Sequence, residues 1–547
     1  MHLSLYVEVK FGESPKERKR LCMKRDVAMN PKRTVTKLSG DVLKHVRNAE
    51  NLYQSLSAGS KNRLDQYRKN LAVSRGEMKP LFDDKVMKAM YPYLLNRDDF
   101  DAQRDYLNNL KDDDGYLFSR DLRIYGSISD AMMRFADKDF TSFRWNRNYN
   151  KALEALIKEF SGLKLRPEKY VTDDDVLRAL PKVTTHSGFS YIITGFREKR
   201  ANVEGSALRL ERRLNAIKNG ATIATTPILI GFRTQASGEY DDEGLPTGRC
   251  KHKTRVVSMY DIDDIVDELQ FANPFIKAIT CKQWYAGGKD DSSISSIIHG
   301  YSAKHRKFMS IDYSSFDQTI SSWLIEDCFK VIEASFRLDS NQREDLRQIC
   351  QRFIHKDFIL NEGIMHSDKG VPSGSMFTQI IDTLVNRLVV STYFISMQAE
   401  FDMIAMGDDN AIFCSEDKSI EQLASYIQKN FGLIIKVDAK SNEGNSRKQD
   451  VKFLSRFWTN YGPWRHPHEL ISRMLFPERR RDYDQVVTPE MVIWGYILTY
   501  RRGMEQLMDI GRFMFEHPLS QRLVRENVDS RYIPGSLAYS REYLSAA

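Results

Sequence analysis

The sequence predicts an α+β fold in which an antiparallel sheet is backed by helices. Three observations predict it. Short apolar segments with strand character at 307–317, 401–413 and 432–438 alternate with helically spaced ones at 320–337, after 375 and near 420–430. The segment FDMIAMGDDNAIF (401–413) has turn residues between two apolar runs, the pattern of a hairpin. No repeat with a period of about 20–50 residues is visible, which excludes a solenoid or propeller. The chain has 547 residues, 41% hydrophobic and 29% charged, ordinary globular usage rather than that of a disordered or collagen-like chain. At roughly 150 residues per domain it holds three to four domains or lobes.

Residues 1–40 are basic and irregular: ten basic and three acidic side chains lie between Lys10 and Lys37. This stretch reads equally as a solvated arm or as a contact for RNA or capsid. It carries most of the net charge of +8, a balance that suits a polyanionic partner. From Asp41 to about Leu71 the apolar spacing is helical, as it is over 151–160 (KALEALIKEF). Residues 205–217 form a basic amphipathic helix, with Leu208, Leu210 and Leu214 against Arg209, Arg212 and Arg213; the expectation is a solvated face. Residues 231–248, rich in Gly, Pro and mixed charges, read as a loop. The strand after it, RCKHKTRVV, has Arg249, Lys251, Lys253 and Arg255 at alternate positions, hence on one face. Four cations on one face repel unless an anion lies opposite, so this strand reads as a phosphate-binding finger.

Segment 307–317 (KFMSIDYSSFD) reads as a strand ending at Asp312, followed by an amphipathic helix over 320–337 (Ile320, Leu324, Phe329, Ile332). A Gly-Pro-Ser-Gly loop at 369–375 precedes a long helix, the 401–413 hairpin has GDDN at its turn, and a mainly helical segment with Arg479, Arg480 and Arg481 runs from about 460 to the end. Residues 375–398 are the most apolar long stretch, but Gln379, Asp382, Asn386 and Arg387 within it are costly in lipid. The N-terminus lacks the apolar core of a signal peptide, and a soluble chain is expected. Six cysteines, at 22, 250, 281, 328, 350 and 414, include no C-x-x-C pair; reduced thiols are expected rather than a zinc ribbon or disulfide scaffold.

Asp312 ends one strand, and Asp408 and Asp409 occupy the hairpin turn. If the strands are sheet neighbours, the three carboxylates converge, and they cannot all stay ionised without a cation among them. Mg²⁺ suits a few carboxylates, several waters and substrate phosphates, and two such ions about 4 Å apart support nucleotidyl transfer. Asp-Asp-Asn also suits a plain β-turn. An upstream D-x-x-x-x-D and an intervening S-G-x-x-x-T set this chain apart from that case.

This constellation resembles the palm of viral RNA-dependent RNA polymerases: SIDYSSFD the first palm motif, PSGSMFTQIID the second, MGDDN the third. GVPSGSMFTQ with GDDN is most similar to the picobirnavirus polymerases, then the partitivirus ones. The resemblance is specific over 185–460 and rests on order and length elsewhere. It implies a right-hand fold with fingers, palm and thumb. Residues 1–70 would be an N-terminal basic extension with helices and 71–300 the fingers, with the basic strand at 249–257. The palm would span 301–460, with motifs at 308–317, 370–387, 404–413, 432–440 and 452–458, and the thumb 461–547.

It further implies that Asp312 and Asp408 bind two Mg²⁺ ions, Mn²⁺ substituting, with Asp409 beside them. Asp317 would sense the ribose 2′-hydroxyl, and Ser373, Gly374 and Thr378 would hold template and nucleotide, Gly374 by letting the backbone approach nucleic acid. The finger strand would contact the triphosphate. In LIIKVDAKS a lysine would protonate pyrophosphate: Lys440 fits better than Lys436 because it directly follows the strand, with a solvated surface lysine the alternative. FLSRFW resembles the primer-grip hairpin, with Lys452 and Arg456 on template or primer. THSG (185–188) reads as a turn or as a template-binding motif, with Ser187 and Gly188 as contacts. In one departure, the family's Asn four residues after Thr378 is replaced by Asp382, and Asn386 lies one turn later; either could assist ribose sensing.

The implied activity is template-directed RNA synthesis for transcription and replication of a double-stranded RNA genome. RNA template and product duplex, nucleoside triphosphates and a viral capsid protein would be partners, in the virion interior or host cytoplasm and without a membrane. The competing readings are a reverse transcriptase, against which Asp317 stands where those enzymes usually have an aromatic residue, and a non-catalytic RNA-binding or capsid-associated protein on the same fold. The second is expected to have lost a metal carboxylate, and all three are present.

Overall fold

The computed structural model describes residues 40–72, 82–108, 125–141, 146–240, 246–437, 442–459, 462–477, 481–484 and 488–517. At its centre is a four-stranded antiparallel sheet in the order Asn442–Asn445, Lys307–Ser310, Asp409–Cys414, Phe401–Met406. Alternation along the strands sends Met309, Met403, Ile412 and Cys414 to one face, where they join a core with helices Arg147–Ser161, Ser322–Ser335, Thr378–Ser396 and Ile420–Phe431. Phe308, Ile404, Ala411 and Phe413 point the other way, against Ile294, Ile298, Val451, Phe453 and Trp458. Burial on both faces explains why these strands read as continuous apolar runs.

The first strand differs from its sequence reading. The chain leaves the central sheet after Ser310, and Asp312–Tyr313 pairs instead with Ile435–Lys436, Asp312 opposite Lys436. This change of partner takes Asp312 out of the four-stranded sheet.

A second, five-stranded sheet has the order Val46–Arg47, Ile364–Ser367, Lys356–Ile359, Ile228–Tyr240, Pro246–Met259. Two expectations fail here. Residues 231–240 are not loop: they belong to Ile228–Tyr240, which pairs with the basic strand from Leu229↔Met259 to Tyr240↔Pro246. Cross-strand backbone hydrogen bonds satisfy a polar, Gly-containing ribbon that has no hydrophobic pattern to announce it. The 41–71 stretch is not one helix but Gly40–Leu43, Glu50–Gln54 and Ala58–Ala72, broken by Val46–Arg47, which edges this sheet beside Ile364–Ser367. The basic helix Ser206–Lys218 is less solvated than expected: Arg209 pairs with Asp263 and Arg213 with Asp264, both at 2.9 Å, on helix Ile262–Thr280.

A three-stranded sheet, Val451–Phe453, Arg456–Thr459 and Gly462–Trp464, leads to helices Pro467–Leu475, Pro489–Thr499, Arg501–Leu507 and Ile510–Glu516. Their core (Leu470, Met474, Trp494, Phe513) is shared with Val86, Met90 and Phe100 of helices Asp84–Met90 and Arg97–Asn108, so a segment distant in sequence packs with the C-terminal lobe. Cys281, Cys328, Cys350 and Cys414 are free thiols, and no described helix is long and apolar enough to cross a membrane.

The THSG segment is a turn at the base of the second sheet. Ser187 is fully buried and donates to the Phe196 carbonyl at 3.0 Å, so its hydroxyl does not face a template as the resemblance implied. Gly188, at φ +73°, lies so close to the strand end that a Cβ would sit 2.5 Å from the Asp261 Cα. The Gly188 N–H donates to His186 Nδ1 at 3.1 Å. Burial, then Arg197 and Lys199, push His186 from its ordinary 6.5 down to about 4. The fold therefore prefers the neutral ring. That stability is present above pH 6.5 and is lost as pH falls towards 4. Amide exchange in 186–197, corrected for its intrinsic pH dependence, is expected to accelerate across this window, and His186→Gln to remove the step. A pH-independent corrected rate in the native chain would contradict the assignment.

Candidate active site

The acidic turn rests on a hydrogen-bonded platform. Gly407 takes φ +65° at the hairpin tip, and its N–H donates to Thr383 Oγ1 at 2.8 Å. Asn386 Nδ2 donates to the carbonyls of Gly407 (3.0 Å) and Asp408 (3.2 Å). Asn386 Oδ1 accepts from Asn410 Nδ2 (3.0 Å) and the Tyr313 hydroxyl (3.4 Å). An amide side chain has two N–H donors and two acceptor lone pairs, and all four are used. Asn386 is fully buried with its hydrogen-bonding capacity filled, so the nucleotide contact expected of it gives way to a bracing role. Thr383 was missed by sequence reasoning. Its signal was a polar residue three positions from Asn386, on the same face of an otherwise apolar helix.

The sequence placed Asp408 and Asp409 together in the turn; Asp409 is instead the first residue of the return strand, and Asp312 opens its own short strand. Burial first, then Asp408 and Asp312, push Asp409 up to about 7, against the opposing pull of Arg255 and Lys452. The three carboxylates thus lie within electrostatic reach of one another. Their all-oxygen donor set and mutual repulsion fit a hard divalent cation. The oxygens do not gather at one point: the trio of ligating groups within 4.8 Å of one another, among the described residues, is His355, His366 and Asp368. Ligands spread between two ions need no single point of convergence. Lys436 Nζ bonds Asp312 Oδ2 at 2.8 Å and the Tyr313 carbonyl at 3.1 Å, bringing to the site the lysine that the sequence ranked second. Lys440 lies outside the described residues. Asp382 is buried, with Oδ1 lacking a hydrogen-bond partner, and burial followed by Asp317 and Asp408 holds its carboxyl well above the usual range.

The second motif is fixed to the five-stranded sheet. Ser373 Oγ accepts from the Ser258 N–H at 2.9 Å, and a Cβ on Gly374 would sit 2.2 Å from the Ser258 carbonyl. Gly374 is therefore required by the approach of the neighbouring strand. Thr378 Oγ1 lies 2.6 Å from the Pro372 carbonyl and closes the same loop. The Asp317 carbonyl accepts from the Val371 N–H, which docks the loop on the first motif.

Arg255 is exposed and sits opposite Arg233 in the ribbon register, adding a cation that the loop reading concealed. Positions 249, 251 and 253 lie on the same strand, but the side chains of Arg249, Lys251 and Lys253 lie outside the described part. Like charges directly opposite each other repel, so this end of the ribbon favours an anion. Arg456, expected on template or primer, pairs with Asp291 at 2.8 Å and stacks over Tyr500 at 5.5 Å, tying the hairpin to its supports.

Asn386→Ala strips partners from two backbone carbonyls and from Asn410, at about 1–3 kcal/mol for each group left unsatisfied in the interior. The expected outcome is a lower melting temperature and slower turnover with RNA affinity retained. A change confined to discrimination between ribo- and deoxyribonucleotides would return Asn386 to the substrate side.

The family model for viral RNA-dependent RNA polymerase matches residues 111–488, well over half of the chain. The RNA-directed RNA polymerase of Cryptosporidium parvum virus 1 (strain KSU-1) is 28% identical over 165 residues, 28% of this chain and 30% of that protein. The genome polyprotein of human rhinovirus 1A is 24% identical over 357 residues, 59% of this chain and 15% of the polyprotein. The matched part thus spans less than a third of either relative. Among solved structures, the crystal structure of the RNA-dependent RNA polymerase of a human picorbirnavirus superimposes with a TM-score of 0.57 at 17% identity, covering 94% of both chains. Its insertion-loop deletion mutant gives 0.52 at 17% identity, covering 90% of this chain and 89% of that one. At that identity the likeness is one of fold, the right-hand architecture. With the family match spanning all three acidic residues and their supports, the chain belongs to the viral RNA-dependent RNA polymerases.

Proposed function

We propose that this chain synthesises RNA on an RNA template by two-metal nucleotidyl transfer, in transcription and replication of a double-stranded RNA virus genome. The observation that carries this reading is the acidic turn, held by Thr383 and Asn386 beside Asp312 in a chain of this family. Asp312, Asp408 and Asp409 would hold Mg²⁺, with Mn²⁺ able to substitute. When bound, the ions supply activation of the 3′-hydroxyl and neutralisation of the departing pyrophosphate. Arg255 and Arg233 attract the triphosphate. Asp382, kept protonated by burial beside Asp317, presents an O–H to the ribose side of the site while Asp317 accepts from the 2′-hydroxyl. Lys436, placed at Asp312, holds the proton that the leaving group takes up. Positioning and charge neutralisation supply most of the rate. RNA duplex product and a capsid protein are the proposed partners, and the virion interior or host cytoplasm the proposed location.

The direct experiment is synthesis on unprimed single-stranded RNA with Mg²⁺ and four ribonucleoside triphosphates. Full-length duplex is expected from the native chain. Asp408→Asn should abolish synthesis with RNA binding nearly intact; equal loss of binding would undermine the metal assignment. No product from the native chain, even with primer and Mn²⁺, would favour a non-catalytic RNA-binding protein or dependence on capsid.

Lys436→Leu should slow turnover roughly 10²- to 10⁴-fold, the range for a general acid. An unchanged rate, with loss on Lys440→Leu instead, would move the role to Lys440.

A further inference from the structure

Away from the acidic turn, the chain contains two H-x-D tripeptides, at 355–357 and 366–368. The hairpin of Lys356–Ile359 and Ile364–Ser367 sets them antiparallel, with Asp357 opposite His366 and Lys356 opposite Ser367. Alternation turns Lys356 and Ser367 into the protein, where both are buried, and leaves the two histidines and two aspartates together on the outer face. His355 Nδ1 lies 2.6 Å from Asp368 Oδ1, and His366 Nε2 lies 2.7 Å from that same oxygen. His366 Nδ1 lies 2.8 Å from Asp357 Oδ1.

These contacts cannot all be hydrogen bonds between neutral rings and carboxylates. A neutral imidazole has one N–H and one lone pair. If His366 donates through Nδ1 to Asp357, its Nε2 lone pair faces the Asp368 carboxylate, and the two repel. Either a proton or a metal cation must stand between them. The Asp357 contact is the outer-shell arrangement that fixes a ligating histidine's tautomer and aims its second nitrogen at a metal. The three inner atoms, His355 Nδ1, His366 Nε2 and an Asp368 oxygen, lie within 4.8 Å of one another.

We propose that His355, His366 and Asp368 form a binding site for a borderline divalent cation of the zinc class, with Asp357 as the residue that orients His366. Two imidazoles and one carboxylate match zinc's ligand preferences, and exposure leaves a fourth position for water. Zn–N and Zn–O distances of about 2.0–2.2 Å require the inner atoms to separate slightly from their present hydrogen-bonding distances, which exposed side chains allow. Mg²⁺, which prefers oxygen ligands, is not expected to compete here. The bound ion would join the end of helix Ser340–Ile354 to the residue that opens the 369–375 loop.

The test uses the full chain without a histidine tag, stripped with chelator and held in excess Mg²⁺ to occupy carboxylate sites. It is titrated with Zn²⁺ by calorimetry and with Co²⁺ by visible absorption. One equivalent of Zn²⁺ is expected, with a Co²⁺ d–d band from mixed nitrogen and oxygen ligands. His366→Ala and His355→Ala should each abolish both signals while leaving the chelator-treated melting temperature near that of the native chain. Asp357→Asn should weaken Zn²⁺ binding about 10- to 100-fold. Equal Zn²⁺ binding by the native chain and both alanine variants would overturn the proposal. So would failure of the native chain to bind Zn²⁺; a melting temperature that then shifts with pH only when His366 is present would show a proton filling the gap alone.

Discussion

Carboxylates gathered into one small volume repel one another, and a turn carrying two of them beside a third opens unless something beneath it resists. Here that support is the first half of helix Thr378–Ser396. Thr383 accepts the Gly407 N–H, and Asn386, with every donor and acceptor occupied, ties two turn carbonyls to Asn410 and Tyr313. Tyr313 adjoins Asp312, so a single buried amide connects the acidic turn to the strand of the other acidic residue. The platform is neutral, so it adds no charge to a site already crowded with carboxylates. The strain of like charge falls mainly on Asp409 and Asp382, whose carboxyls burial and acidic neighbours push upward.

The same helix begins in the loop that meets the five-stranded sheet. Ser373 receives the Ser258 N–H, Gly374 admits the strand backbone, and Glu268 accepts from Ser375 and from the Met376 N–H. Burial pushes Glu268 up to about 8, even though these hydrogen bonds favour the ionised form. Behind it, Arg352 joins Asp267 and Arg213 joins Asp264, anchoring the helix that carries Glu268. The basic ribbon and the acidic turn are therefore attached to opposite ends of one rigid path. That path brings Arg255 close enough to lower the Asp409 carboxyl's proton affinity. The site thus sets opposed charges against each other, a cationic ribbon and an acidic turn.

The acidic residues, the hairpin and the order of helices and strands in the centre were legible in the sequence, because each rests on local chemistry. Turn residues punctuate apolar runs, and the 3.6-residue period marks amphipathic helices. The charge alternation of 249–255 was likewise visible, as was the glycine at 374. What those residues face was not. The ribbon's first strand lacks apolar periodicity because cross-strand backbone bonds hold it, and the 41–71 stretch contains a strand formed only by pairing with Ile364 and Met365. The reasons for Gly374 and Asn386 lie in residues far away in the chain, Ser258 and Gly407, and that for Ser187 in a carbonyl beyond the next turn, that of Phe196. Sequence spacing favoured Lys440, whereas strand register put Lys436 opposite Asp312. The sequence by itself determined which chemical groups are present and which local elements carry them. Only the tertiary structure decided which groups bear on the site and which are consumed in holding it, because a polar side chain's role depends on whether its hydrogen-bonding capacity is already filled by neighbours that sequence distance does not reveal.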